Sequence, residues 1–201
     1  MAQMFINRRL GELNLKIVYY GPAYSGKTTN LEHVHQRALK EQRGEMVSLK
    51  TRGDRTLFFD YMQLAMPPIQ GLKLKFNLYT VPGQVEYTAT RRLVLQGADG
   101  VIFVADSQTG RMRDNLHSLV DLYKNLQEAG MDPRQVSLII QFNKRDLTDA
   151  AAIPVIRGTL RLNGYSFPCY DAVAIQGDGV FDTLKASINA VVRRIQTVSI
   201  S

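Results

Sequence analysis

The chain has 201 residues, 45% of them apolar, with a formal net charge of +7. That length and apolar share can bury one full core, and no linker, repeat or low-complexity tract divides the sequence, so a single domain over residues 1–201 is expected. The arginine pairs Arg8-Arg9, Arg91-Arg92 and Arg193-Arg194 are dispersed without interleaved aromatics, which argues against nucleic-acid binding.

No apolar run reaches membrane-spanning length. The opening Met1-Ala2-Gln3 lacks a myristoylation glycine and the closing Val198-Ser199-Ile200-Ser201 lacks a prenylatable cysteine, so no lipid anchor is expected. A single cysteine, Cys169, points to a reducing cytoplasm and reads as an inert core residue.

Taken in chain order, Leu15-Lys16-Ile17-Val18-Tyr19-Tyr20 reads as a buried strand. It feeds Gly21-Pro22-Ala23-Tyr24-Ser25-Gly26-Lys27-Thr28, which fits G-x-x-x-x-G-K-[ST]. In such a loop the backbone N–H groups cradle phosphates, the lysine reaches the β and γ groups, and the hydroxyl ligates Mg²⁺. Leu31, Val34 and Ala38 then recur at helical spacing and predict a helix from Thr28, through Thr29, to about Lys40. Phosphate would sit at that helix's N-terminus. His33 and His35 stand two apart on it and point to different faces, and His117 has no partner in sequence, so no histidine metal site is expected.

Leu72, Leu74, Phe76 and Leu78 keep period two, the mark of a half-buried strand running into Thr80-Val81-Pro82-Gly83-Gln84. Val101–Ala105 and Leu138–Phe142 are short continuous apolar runs, as in parallel strands covered on both faces. Leu116, Leu119, Tyr123 and Leu126 line one helix between them, and Val180, Leu184, Ile188, Val191 and Ile195 line the last. Strands and helices that alternate to the end predict an α/β doubly wound, mostly parallel sheet with helices on both faces and a ligand at the strands' carboxyl ends.

Asn143-Lys144-Arg145-Asp146 supplies the base specificity. In N-K-x-D the ionised aspartate accepts hydrogen bonds from guanine N1–H and N2–H₂, which adenine cannot offer. Together with the phosphate loop this implies GTP or GDP as ligand and disfavours an ATP-dependent kinase or transport ATPase.

Four segments then carry a family resemblance: Lys16-Ile17-Val18-Tyr19-Tyr20-Gly21-Pro22, Arg55-Thr56-Leu57-Phe58-Phe59-Asp60, Thr80-Val81-Pro82-Gly83-Gln84 and Val104-Ala105-Asp106-Ser107. Over nearly its whole length the chain resembles the MglA family of bacterial Ras-like GTPases, which governs gliding motility and cell polarity. Other small Ras-like GTPases carry D-x-x-G-Q where this chain has Thr80 to Gln84; T-V-P-G-Q is the MglA pattern.

The resemblance implies a P-loop, Ras-like fold and a GTP-hydrolysing switch. It puts Gly21, Ala23, Tyr24, Ser25, Gly26, Lys27, Thr28, Thr29, Thr56 and Gly83 around the phosphates, and Asn143, Lys144, Asp146, Val173 and Ala174 around guanine. Thr28, Thr56 and Thr80 belong to the Mg²⁺ site. Gln84 orients the attacking water, and Arg55 acts in cis as the arginine finger, with Arg52 as a rival. The partners implied are a Roadblock/LC7-type, MglB-like regulator and GTP-dependent effectors, with recruitment to a cell pole.

Three positions depart from the family pattern. Ala23 replaces a glycine and is expected to crowd Gln84 or the arginine. Lys50-Thr51-Arg52-Gly53-Asp54 is less acidic than usual. The S-A-K that contacts the base is reduced to Ala172-Val173-Ala174, where the Ala174 N–H is expected to serve guanine O6. With Thr80, these departures keep open a second reading, a GTP-binding scaffold with little turnover.

Overall fold

Alternation along one strand sets the two layers of the molecule. In a computed structural model, which describes residues 5–7, 11–50, 58–69, 71–84, 87–162 and 167–198, the strand is β2 (Glu12–Tyr20). Successive side chains leave opposite faces of a strand. Leu15, Ile17 and Tyr19 therefore pack on one side, with α1 (Lys27–Arg37) and α5 (Val180–Val198), through Leu31, Val34, Val180, Leu184, Ile188 and Val191. Val18 and Tyr20 pack on the other, with α2 (Thr88–Leu95), α3 (Met112–Glu128) and α4 (Ile153–Thr159), through Leu95, Leu119, Leu122, Leu126 and Ile156.

The remaining strands are β1 (Phe5–Asn7), β3 (Val47–Lys50), β4 (Phe58–Ile69), β5 (Leu72–Thr80), β6 (Gly100–Asp106), β7 (Ser137–Asn143) and β8 (Cys169–Asp171). Their order is β3-β4-β5-β2-β6-β7-β8, with β1 paired to the start of β2. The pairs β5-β2, β2-β6, β6-β7 and β7-β8 are parallel. The doubly wound, mostly parallel sheet expected from sequence is the architecture found.

Strict alternation fails in one stretch. Between α1 and β5 the described residues form two strands and no helix, an antiparallel wing of β3, β4 and β5. The α1 helix also stops at Arg37 instead of about Lys40, because Ala38 is extended at ψ 144°. Beyond it, the Gln42 carbonyl accepts from Ala65 N–H at 2.6 Å and Gly44 N–H donates to the Gln63 carbonyl at 2.8 Å. Tertiary pairing with β4 therefore overrides the local helical pattern. Cys169 is half-buried on β8 rather than a core residue, with its thiol pushed up by burial and 3.0 Å from Arg157 Nη1.

Register brings the four chemically informative strand ends to one edge. Tyr19 pairs with Thr80, Tyr20 with Phe103 and Asp106 with Asn143, so the segments after β2, β5, β6 and β7 leave the sheet side by side.

Candidate nucleotide site

Gly21 and Gly26 shape the phosphate loop. A Cβ on Gly21 would lie 2.2 Å from the Val104 carbonyl oxygen, and one on Gly26 would lie 2.2 Å from Asn143 Nδ2. Their φ values of 143° and 99°, with Tyr24 at 64°, coil the loop so that α1 starts without a side-chain cap and without an acidic residue in its first turn. The uncapped N–H groups and the helix dipole then favour an anion. Lys27 is buried, and its Nζ donates to the Gly21 and Pro22 carbonyls at 2.9 and 2.6 Å. Burial, reinforced by Arg91 and Arg111 and opposed by Asp60, lowers its pKa to about 7. Ser25 Oγ is fully buried and has no hydrogen-bond partner among the described residues. An electropositive cradle with an orphaned hydroxyl suits a phosphate chain.

A second cavity of about 350 Å³ adjoins the loop, lined by Tyr24, Gly26, Thr29, Asn143, Lys144, Asp146, Leu147, Val173, Ala174 and Ile175. Every base-site residue expected from sequence is in this set. Asn143 ties the two halves together: its Nδ2 donates to the Ser25 carbonyl at 2.7 Å, and its Oδ1 accepts from Ala174 N–H at 2.9 Å. The Ala174 N–H, expected from sequence to serve guanine O6, donates to Asn143 Oδ1 in this structure. Lys144 takes φ 65°, and its Nζ binds the buried Asp106 carboxylate at 2.7 Å, which holds its stem along the pocket wall.

Sequence reasoning missed Asp60. At the start of β4, its Oδ2 accepts from the hydroxyls of Thr28 at 2.7 Å and Thr80 at 2.8 Å, and its Oδ1 accepts from Ser48 at 2.7 Å. Its own N–H donates to Thr80 Oγ1 at 2.9 Å. Three hydroxyl donors match an ionised, acceptor-only carboxylate. A carboxylate brought in by the neighbouring strand thus stands beside Thr80, which replaces the aspartate of D-x-x-G-Q. The available signal was an aspartate inside the apolar run Leu57-Phe58-Phe59-Asp60-Tyr61-Met62. A cavity of about 300 Å³ beside it is lined by Thr28, Ser48, Asp60, Thr80 and Gln84. No three His, Cys, Asp or Glu residues among those described converge as a metal cage. The oxygen donors that do gather here, Thr28 and Asp60, are of the class that Mg²⁺ takes.

Gly83 presses on the phosphate loop: a Cβ there would lie 2.2 Å from Ala23 N. Gln84 follows, exposed, with its main-chain carbonyl held by Arg91. Ala23 and Gln84 line one cavity. Arg111 Nη2 donates to the Ala23 carbonyl at 2.7 Å. Arg55, Thr56 and the rival Arg52 lie outside the described residues.

Comparison with known proteins places the chain. Residues 1–191 match the model of the ADP-ribosylation factor family. The "Mutual gliding-motility protein MglA" of Myxococcus xanthus is 50% identical over 192 residues, 96% of this chain and 97% of that protein. ADP-ribosylation factor-like protein 6 of Caenorhabditis elegans is 28% identical over 174 residues, covering 85% and 83% of the two chains. With its phosphate loop and base loop at the ends of a mostly parallel sheet, the chain belongs to the ADP-ribosylation factor family as an MglA-type, guanine nucleotide-binding GTPase.

Proposed function

We propose that this GTPase works as a Mg²⁺-dependent switch in cell polarity or gliding motility, binding its partners in the GTP state and releasing them after hydrolysis. The observation that carries the reading is Asn143, which joins the phosphate loop at Ser25 to the base loop at Ala174 and so supports one ligand spanning both. The name of the Myxococcus relative supports the process. A Roadblock/LC7-type, MglB-like regulator and GTP-dependent effectors follow from the family resemblance, as does recruitment from the cytoplasm to a pole. No helix among the described residues is long and apolar enough to cross a membrane.

In this reading Lys27 neutralises the β and γ phosphates, and Gly83 follows the γ group from its seat against Ala23. Gln84 orients the attacking water, and Arg55 meets the charge that develops on the transferred group. Bound Mg²⁺ supplies charge neutralisation between the phosphates. Thr28 and Thr56 would hold it. Thr80 contributes by fixing Asp60, and Asp60 accepts a hydrogen bond from the Thr28 hydroxyl, which would leave that oxygen's lone pairs for the metal. Single-turnover GTP hydrolysis, with and without a Roadblock-type regulator, tests the switch. Turnover stimulated by the regulator is expected; GTP binding with no hydrolysis under either condition would make the chain a docking scaffold.

Asp60→Asn should weaken Mg²⁺ binding to the GDP complex by about 10- to 100-fold, the usual cost of losing a residue that orients a metal ligand. Dissociation of a fluorescent GDP across a Mg²⁺ titration reads this directly. A midpoint unchanged from the native chain would reduce Asp60 to an organiser of hydroxyls.

A further inference from the structure

Arg91 is a charged residue with 4% of its surface exposed, on a helix whose buried face otherwise carries Thr90, Val94 and Leu95. An apolar side chain there would avoid the cost of desolvating a guanidinium. Among the described residues its partners lie in the segment after β5, in α2 and in α3. Nη1 donates to the main-chain carbonyls of Pro82, at 3.3 Å, and of Gln84, which flank Gly83. Nη2 donates to Thr88 Oγ1 at 2.8 Å. Nε pairs with Asp121 Oδ2 of α3 at 2.9 Å.

The chain of contacts continues beyond Asp121. Its Oδ2 also accepts from Tyr20 OH at 2.6 Å, and Tyr20 OH accepts from Asn125 Nδ2 at 3.1 Å. Burial and the Asp121 carboxylate both push the Tyr20 hydroxyl pKa upward, so it stays a proton donor. Tyr20 is the last residue of β2, directly before Gly21 of the phosphate loop. One buried network therefore joins the root of the phosphate loop, the middle of α3 and the main chain at Gln84. Residues 81–84 have no helical or strand structure to hold them. A planar fork that grips two carbonyls can fix their orientation, which the point charge of a lysine cannot.

We propose that Arg91 is a positioning residue for hydrolysis: braced by Asp121 and Tyr20, it sets the main chain from which Gln84 aims the attacking water. The proposal rests on the reading that Gln84 orients water. Displacement of a catalytic group by about 1 Å can cost about 100-fold in rate.

The test is single-turnover GTP hydrolysis by Arg91→Lys, Asp121→Asn and Gln84→Leu, and by Arg91→Lys combined with Gln84→Leu. Affinity for fluorescent GDP and GTP is measured on the same preparations. Arg91→Lys is expected to lower the rate at least about tenfold with both affinities within about twofold, and to cause no further loss beside Gln84→Leu. If Arg91→Lys loses nucleotide binding through misfolding, Asp121→Asn carries the test, since its amide keeps an acceptor for Tyr20 and removes only the charge facing Arg91. A purely structural role would lower thermal stability and leave the rate per bound GTP unchanged, which overturns the proposal. Equal losses in both backgrounds would overturn it too, because Arg91 would then act independently of Gln84. A normal rate for Gln84→Leu would overturn the Gln84 reading itself, and this proposal with it.

Discussion

Asp146→Asn is expected to exchange guanine for xanthine specificity. Asp146 lies in the exposed turn after β7, on the rim of the cavity that also holds Asn143, Lys144 and Ala174. A carboxylate there accepts from guanine N1–H and N2–H₂ through charge-assisted bonds. The asparagine amide would face the guanine amino group with a donor of its own, whereas the C2 carbonyl of xanthine accepts that donor. Sites built to hydrogen-bond a ligand reject analogues that leave their groups unpaired by about 10⁴- to 10⁵-fold. The native chain should therefore prefer GTP and GDP over ATP by several orders of magnitude. Displacement of a fluorescent GDP by unlabelled GTP, ATP and XTP measures both preferences. Equal displacement of the native complex by ATP would remove Asp146 from the base site.

Loss of Arg55 should be as costly to stimulated turnover. An arginine that meets the transition-state charge contributes about 10³- to 10⁵-fold in rate, so Arg55→Ala should abolish regulator-stimulated hydrolysis with little change in GTP affinity. Described residues bracket the segment that carries it: Lys50 pairs with Phe58 across the β3-β4 ladder, and Asp60 bonds Thr28 two residues further on. Phosphate release measured for Arg55→Ala and Arg52→Ala separates the two arginines. An unchanged rate in both variants, lost when an arginine of the regulator is removed, would place the finger in trans.

Much of the fold and half of the site can be read directly from sequence, because the features concerned are local. Gly21 to Thr28 carries its own geometry in two glycines that no side chain could replace. The apolar runs of β6 and β7 report burial on both faces, and the period of α5 reports one buried stripe. The base recognition proposed for this chain is likewise contained in four consecutive residues, Asn143 to Asp146. The wing of β3 and β4 was less legible, since its strands are defined by partners far away in sequence and α1 gives up its last turn to meet them.

What sequence alone determined, then, is the ligand class and the sheet that presents it, through motifs whose chemistry is complete within a few residues. Tertiary structure decided how the site is braced. Asp60 acquires a role only because β4 lies beside β5, so that its carboxylate meets Thr80 and Thr28 across 20 and 32 residues of chain. Ala174 spends its N–H on Asn143, 31 residues away, and Arg91 is buried only because α2 packs on α3. Each of these groups is unremarkable to a reading of spacing, since a polar side chain gains its energetic meaning from the water it loses and the partner it finds, and both are set by the folded neighbours.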